Sequence, residues 1–405
     1  MKKKILILFK ASWHWNKFFI NKLSKFYEVE YLYLDQIKKN YLDSTLEINT
    51  FLEDKKIEIV FFDIDYQKLI NLFFIRKIKN VKKVMVTWDD YERHNFNLIT
   101  ASSCDFVVTG CPISTLKYKE IGCPASFMIL ESDGSFYKDL KLKKDIDVLF
   151  FGKVNKDRKS FVDFINENGI KIKVVGNNEE NRVTDEELVS LICRSKIVIN
   201  FSKTTWGKIM NIPEKNVFQY QYQLKGRIVQ SGLCGTACIS EYAPHHRLLY
   251  KEDELLEFSN KKDCVKILKD LINNPEKLLK YSEKFVQKTK NFYEEEKTFR
   301  QSYDFLNKIE QTKVDEKLKY LKRVPYWYLR ICAKQILLKN MKISKIFNSL
   351  FHLKEVFLLT KKSNILVKFL VMIESILNII WFSGIRLFKT KGAGKNRYKD
   401  EYGSS

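Results

Sequence analysis

The stretch that decides the fold runs from Gln223 to Phe258 and reads QLKGRIVQSGLCGTACISEYAPHHRLLYKEDELLEF. Its first residues have helical spacing, and Gly232 and Gly235 predict the end of that helix, because glycine accepts φ > 0 after a last turn. The small apolar run at 236–240 predicts a buried strand, with the carboxylate of Glu241 at its C-terminal end. In open α/β sheets, ligands bind at that end of the strands. The stretch therefore predicts a helix, a turn and a strand that border a ligand pocket.

Basic residues approach this predicted pocket from two directions. Lys225 and Arg227 lie at the start of the helix, and an upstream segment, DVLFFGKVNKDRKSF, begins as a strand that leads into Gly152. The basic residues that follow this glycine are Lys153, Lys156, Arg158 and Lys159. Glycine lets the backbone approach a ligand, and helix N-termini and arginine both favour phosphate. The two clusters together predict a grip on a diphosphate, whereas the loop by itself is typical of a solvated surface.

Short apolar strands alternate with helical segments along residues 1–310. This alternation is typical of βαβ units and predicts a mostly parallel sheet. A charged, lysine-rich segment at 139–145 predicts a linker, so we expect a Rossmann-like domain at 1–140 and a second at 145–310. The predicted strands are 4–9, 29–34, 57–62, 84–87, 106–109, 125–130, 148–151, 172–175, 197–201 and 236–240. The sequence thus predicts an α/β fold with two domains that face each other across a cleft.

Charge is unevenly distributed along the chain. The 405 residues carry a formal net charge of +23, and residues 311–405 alone hold 20 Lys and Arg against 6 Asp and Glu. A strongly basic balance suits nucleic acid, an anionic membrane or anionic substrates. Its concentration in one terminal segment disfavours a nucleic-acid groove that runs through the core.

Helical periodicity replaces the strand pattern over residues 311–395. At 361–386 one narrow helix face holds Lys361, Asn364, Lys368, Ser375, Asn378 and Arg386, and most of the other residues are large and apolar, which is typical of a helix in a membrane interface. We therefore predict a basic amphipathic tail that associates with the inner, cytoplasmic face of an anionic membrane. A membrane-spanning helix, a self-packing helical subdomain and an oligomer interface are the alternatives. Residues 396–405 are expected to be disordered.

The cysteines and histidines show no pattern of a cofactor or metal site. Eight cysteines are scattered without a CxxC pair, which predicts reduced, buried thiols. A GxGxxG fingerprint for a nicotinamide or flavin nucleotide is missing from the sequence. His245 and His246 are adjacent and lack the spacing of a typical metal pair. We therefore predict neither a cofactor nor a bound metal ion.

Three segments together resemble a known family. FFGKVNKDR, INFSK and the stretch quoted above are similar to the C-terminal half of GT-B glycosyltransferases, and to the spore-maturation CgeB-like branch related to the retaining family-four enzymes. The resemblance runs from about residue 147 to 299 and is weaker over 1–140, where TWDDYER still resembles that branch. It does not extend to the C-terminal tail.

The resemblance implies a nucleotide-diphosphate sugar held by the second domain and an acceptor held by the first. Arg158, Lys225 and Arg227 match positions that face the diphosphate, whereas Gln230 and Tyr222 stand where the family has a pair of glutamates. This departure weakens the expected contact with the nucleotide ribose. It also leaves open whether the reaction retains or inverts the configuration at the anomeric carbon of the sugar. The positions expected to complete the donor site are Gly152, Lys153, Asn200, Gly235, Glu241 and Tyr242.

An inverting transfer needs a base for the acceptor hydroxyl. Asp89, Asp90 and His14 follow predicted strands of the first domain and are the candidates. The alternatives are that the two aspartates cap the next helix and that His14, between two tryptophans, is simply packed.

The sequence as a whole predicts a glycosyltransferase that moves a sugar from a nucleotide-diphosphate sugar to a surface-glycan or lipid-linked acceptor. The excess of Lys, Asn and Ile over Gly and Pro favours a bacterial source. A non-catalytic membrane-bound scaffold with the same fold is the main rival, and a charge-driven nucleic-acid binder is the second. Homo-oligomer formation stays open.

Overall fold

The computed structural model describes most of the first 297 residues and a few positions beyond them. The described residues are 2–9, 16–33, 41–63, 72–88, 90–129, 132–176, 179–203, 222–297, 306–309, 328 and 373.

The first parallel sheet is built from the N-terminal part of the chain. Its strands are β1 (Lys4–Phe9), β2 (Glu28–Tyr33), β3 (Ile59–Asp63), β4 (Lys82–Thr87), β5 (Phe106–Thr109) and β6 (Ala125–Phe127). Its helices are α1 (Asn16–Ser24), α2 (Tyr41–Lys55), α3 (Leu72–Lys77), α4 (Asp90–Ala101) and α5 (Pro112–Glu120). The strand order is β2-β1-β3-β4-β5-β6, and every pair is parallel. Apolar side chains pack on both faces of this sheet in two separate core clusters, which explains why its central strands are continuous apolar runs.

The second sheet repeats this winding. Its strands are β7 (Ile146–Phe151), β8 (Ile172–Val175), β9 (Ser195–Asn200), β10 (Ala237–Glu241) and β11 (Leu256–Phe258). Its helices are α6 (Lys156–Glu167), α7 (Asp185–Arg194), α8 (Gly226–Leu233), α9 (Lys261–Ile272) and α10 (Pro275–Lys297). The order is β11-β10-β9-β7-β8, again all parallel. The order reverses between β7 and β9, and such a switch point opens a crevice at the carboxyl ends of the two strands.

The fold confirms the predicted α/β class with two parallel sheets. All ten predicted strands are present, with bounds that differ by a few residues at most. The seven cysteines in the described part of the chain are free and buried, as predicted.

One glycine has a different role from the predicted one. Gly232 does not end the helix but lies inside α8, where a Cβ atom would come within 2.5 Å of the Cβ of Thr289 on α10. Glycine therefore lets α10 pack directly on α8. Gly235, with φ of +71°, is the residue that turns the chain towards β10.

The chain returns to the first sheet after α10. Leu306 and Ile309 are buried in a core cluster of that sheet, and Lys82 Nζ donates to the carbonyl of Ile309 at 2.9 Å. Tyr328 is fully buried in the other core cluster of this sheet, and its hydroxyl bonds the amide of Leu72 and the hydroxyl of Thr100. The last described residues of the predicted second domain, and one residue of the predicted tail, thus complete the core of the first domain.

The predicted amphipathic tail lies outside the described residues, apart from Tyr328 and Ile373. Within the ranges that the structure describes, none of the helices has both the length and the apolar character needed to cross a bilayer.

Candidate functional site

The carboxyl ends of β7, β9 and β10 form one edge of the second sheet. Gly152 follows β7, Asn200 ends β9 and Glu241 ends β10. The switch point lies between the first two of these strands. The structure thus brings the predicted donor residues Gly152 and Glu241 to the place where an open α/β sheet binds its ligand, and Asn200 is buried at the same edge.

Arg227 bridges the switch point. It projects from the first turn of α8, its Nε donates to the carbonyl of Phe151, and its NH1 donates to Asn200 Oδ1 at 3.1 Å. The guanidinium carbon lies 5.0 Å from the ring centre of Phe150, a cation–π contact. Gly152 leaves the necessary space, since a Cβ atom there would lie 2.5 Å from Arg227 NH2. The φ of +119° at Gly152 also disfavours any residue with a side chain.

Arg158 is a buried brace between two loops. Its backbone amide is capped by Asn155 Oδ1 at 2.8 Å at the start of α6. Its guanidinium donates to the carbonyl of Lys153 at 2.8 Å and to that of Lys203 at 3.5 Å. The residue is 7 % exposed. Arg158 therefore ties the loop after β7 to the loop after β9, and the exposed Lys153 is the outer cation of the same loop.

Glu241 is the acid of the site and is held by its neighbours. Its Oε2 accepts from the amide of Lys203 at 2.8 Å. Burial raises the pKa of Glu241, against the opposing effect of the Lys203 amide and of the Lys203 and Arg158 charges. Tyr242 beside it is 45 % exposed and meets the ring of Tyr222 edge-on at 6.3 Å. This pair places aromatic surface next to a carboxylate, a combination that suits a sugar ring and its hydroxyls.

The N-terminus of α8 faces the first domain across a cleft. Lys225 is the N-cap residue of α8, and its ammonium group donates to the side chain of Gln223. The cleft is lined on the α8 side by Leu224, Lys225, Gly226 and Val229, and on the other side by Trp88, Gly110, Phe127 and Ile129. The positive end of a helix and a lysine thus lie on one side of the cleft, and apolar and aromatic residues lie on the other. This arrangement favours a ligand that carries both an anionic group and a less polar group.

Three predicted donor residues have other surroundings than expected. Gly235 is at the amino end of β10, opposite the site, and its backbone packs against Asp139. Gln230 is half-buried on α8, one turn beyond Arg227. Asn200 is fully buried, so it reaches the site through Arg227.

Of the three candidate bases, Asp90 is the one that the structure describes. Its carboxylate is fully buried and accepts from Asn97 Nδ2 at 2.7 Å, Thr109 Oγ1 at 2.9 Å and Tyr118 OH at 3.0 Å. Burial alone would raise the pKa of Asp90, but the neighbouring His94, at 3.7 Å, and the hydrogen bonds from Asn97 and Thr109 lower it below its ordinary value.

Asp90 therefore joins α4, β5 and α5 through side-chain hydrogen bonds, a structural role that differs from the helix cap considered as the alternative. Asp89 and His14 lie outside the described residues.

A second set of polar residues lies behind Arg227 and was not predicted to act at the site. Ser202, Ser240 and His246 are fully buried, and Glu257 is nearly so. The sequence offers a weak signal for them, because a serine or histidine inside an apolar run must be hydrogen-bonded to be buried.

Comparison with known sequences gives one family match. Residues 158–306 match the sequence model of a family described as "Glycosyl transferase-like". No curated protein sequence matches the chain.

Solved structures match the fold. HepE of Anabaena, solved with UDP, is 12% identical, with 75% of this chain and 99% of that chain covered and a TM-score of 0.53. HepE solved with UDP-glucose gives a TM-score of 0.50 at 12% identity, over 71% of this chain and 94% of that one. Sucrose-phosphate synthase of Thermosynechococcus elongatus is 8% identical, with 75% and 100% covered and a TM-score of 0.50. Residues 158–306 are therefore similar in sequence to a glycosyl transferase-like family, and the fold of two parallel sheets is shared with these solved structures.

Proposed function

We propose that the protein transfers a sugar from a nucleotide-diphosphate sugar to a glycan or lipid-linked acceptor. The nucleotide and sugar lie at the carboxyl edge of the second sheet, and the acceptor enters from the first domain. The observation that carries the proposal is the position of Arg227 at the switch point, beside the N-terminus of α8.

The reaction needs the charge of the departing diphosphate to be neutralised. Lys225 and the first turn of α8 present positive charge at the cleft, and Arg227 extends this line of charge to the switch point. Glu241 and Tyr242 lie beside this line and contact the donor sugar in this proposal. HepE binds UDP and UDP-glucose in its solved complexes, which supports a uridine nucleotide as the first donor to test.

A screen of nucleotide sugars by thermal unfolding tests this proposal. We expect one donor, with its free nucleoside diphosphate, to raise the unfolding temperature, because ligand bound to the folded state adds about 2.7 kcal/mol at a hundredfold excess over Kd. The matched nucleoside without phosphates is the control and should give a much smaller shift. If no nucleoside diphosphate raised the unfolding temperature and the protein hydrolysed no nucleotide sugar, the proposal would be contradicted.

We also propose that the basic tail brings the enzyme to an anionic membrane surface. The supporting observation is the excess of 20 Lys and Arg over 6 Asp and Glu in residues 311–405. Because Tyr328 fills the core of the first domain, a test of the tail should keep that residue.

A variant that ends at residue 340 is suited to testing the tail. We expect it to fold and to lose most of its binding to vesicles with 30% anionic lipid, since each basic residue near such a surface contributes about 1 kcal/mol. Co-sedimentation with these vesicles, and with neutral vesicles as the control, measures the effect. Undiminished sedimentation of the shortened chain with anionic vesicles would contradict the role of the tail.

A further inference from the structure

A continuous chain of buried hydrogen bonds starts at Arg227 and leads away from the cleft. Arg227 NH1 donates to Asn200 Oδ1 at 3.1 Å, and Asn200 Nδ2 donates to Ser202 Oγ at 3.0 Å and Ser240 Oγ at 2.8 Å. Ser202 Oγ in turn lies 3.4 Å from His246 Nε2. Asn200, Ser202, Ser240 and His246 are each 0% exposed, so water does not compete with these contacts.

The donors and acceptors of the chain fit one orientation of the Asn200 amide. Both hydrogens of the Asn200 amide are taken by serine hydroxyls, so its oxygen must face Arg227. The hydroxyl of Ser240 donates a hydrogen bond to the carbonyl of Glu241 at 2.9 Å. Ser202 accepts from Asn200, and its own hydrogen has two acceptors within reach, Ser240 Oγ at 3.1 Å and His246 Nε2 at 3.4 Å, the latter in the tautomer protonated at Nδ1.

Glu257 fixes that tautomer at the far end. His246 Nδ1 lies 2.6 Å from Glu257 Oε1, and the same oxygen accepts from the amide of Ala243 at 3.1 Å. The other carboxylate oxygen forms an ion pair with Arg247. The side chain of Glu257 is 7% exposed. A carboxylate held by three donors is a rigid anchor, and it lies on β11, two strands away from β9.

We propose that the residues Asn200, Ser202, His246 and Glu257 form a positioning relay that holds the guanidinium of Arg227 at the diphosphate subsite. The inference rests on the proposed function, because it assigns Arg227 to the donor phosphates. None of the four residues touches the donor. They act by holding the side chain of Arg227 in one orientation. Without these contacts, rotation about its side-chain bonds would remove that orientation.

A buried polar cluster that only stabilises the core would behave differently. Its loss would weaken the binding of every ligand of the domain through partial unfolding, and its effect would not depend on Arg227. A positioning relay affects the phosphate-bearing part of the ligand alone. The two roles are therefore separated by comparing a nucleoside diphosphate with its nucleoside.

The experiment uses calorimetric titration of the full chain with UDP against uridine, GDP against guanosine and ADP against adenosine. The pair to follow is the one whose diphosphate binds the wild type. We expect Ser202→Ala to weaken the diphosphate roughly three- to tenfold and to change the nucleoside less than twofold, as expected for one lost buried hydrogen bond. Ser195→Ala is the matched control, because Ser195 is an equally buried serine of β9 that bonds Leu191 at the other end of the strand.

Two substitutions of His246 test whether its contact with Ser202 or its contact with Glu257 matters more to the relay. They also replace Ser202→Ala as the test if that variant fails to fold. Gln reaches about as far as Nε2 and keeps a contact with Ser202, whereas Asn reaches only about as far as Nδ1 and keeps the contact with Glu257. We expect His246→Asn to lower diphosphate affinity more than His246→Gln does. In an Arg227→Lys background, Ser202→Ala should have less than half of its effect, because coupled residues are not additive.

The outcomes distinguish the two proposals. A wild type that binds no nucleoside diphosphate overturns the proposed function. A wild type that binds one, with folded Ser202→Ala and His246→Asn variants that bind it equally well, overturns the relay alone. Equal losses for diphosphate and nucleoside, or an undiminished loss in the Arg227→Lys background, also overturn the relay, since they indicate a purely structural role.

Discussion

Arg227→Ala should lower the turnover of the donor by about 10²- to 10³-fold, the loss typical of removing one pre-positioned group that stabilises developing charge. The guanidinium is held by the carbonyl of Phe151 and by Asn200, and it lies against the ring of Phe150. Little reorganisation is needed when negative charge builds up on the departing diphosphate. Hydrolysis of the donor that the thermal screen selects measures this effect without knowledge of the acceptor.

Arg227→Lys should fall between the wild type and Arg227→Ala, because lysine keeps the charge but lacks the planar fork that bonds two acceptors at once. Arg194→Ala is the matched control. Arg194 is an exposed arginine of the same domain whose partner is Asp145, and its loss should leave turnover within about twofold. Turnover of Arg227→Ala within about threefold of the wild type, in a folded protein, would contradict the assignment of Arg227 to the diphosphate.

The sequence predicts the edge of the second sheet well, for a local reason. A buried parallel strand is a short apolar run, and the first polar residue or glycine after it marks its carboxyl end. Gly152 and Glu241 are placed at the site by that rule, and Asn200 close to it. Arg227 is placed at the same edge because it lies in the first turn of α8, the helix that precedes β10.

Contacts between distant parts of the chain could not be predicted in the same way. Gly232 accommodates Thr289, and Tyr328 completes the core of a domain whose strands end near residue 127. The relay to Glu257 likewise depends on which strand follows β10 in the sheet. Such pairings are set by tertiary packing, and a single sequence has no periodic signal for them.

Asp90 shows the limit of reasoning from strand ends. Its position after β4 predicted a base at the cleft, but the distances place both of its oxygens among the side chains of α4, β5 and α5. An acid that is already bonded by three donors is poorly suited to accept a further proton from a substrate. We therefore expect its substitution to affect stability first.

Asp90→Ala should lower the free energy of unfolding of the first domain by about 3–5 kcal/mol, because it leaves the buried donors of Asn97, Thr109 and Tyr118 without their acceptor. Asp90→Asn should cost only about 1–2 kcal/mol, since the hydroxyl of Thr109 can reverse and accept from the new amide. Hydrogen exchange measures both effects in peptides from residues 82–120, and peptides from 146–200 are the internal control in the second domain.

The pH dependence gives the same hypothesis a second test. The pKa of Asp90 is lower in the folded chain than its ordinary value of 3.8, so its stabilising effect is complete above that value and is lost as the pH falls through the lower, folded pKa. Asp90→Asn should therefore remove part of the acid sensitivity of the first domain, and Asp163→Asn, an exposed control, should not. If Asp90→Asn instead kept the exchange rates and acid sensitivity of the wild type while turnover fell more than a hundredfold, Asp90 would be the catalytic base and not a structural acid.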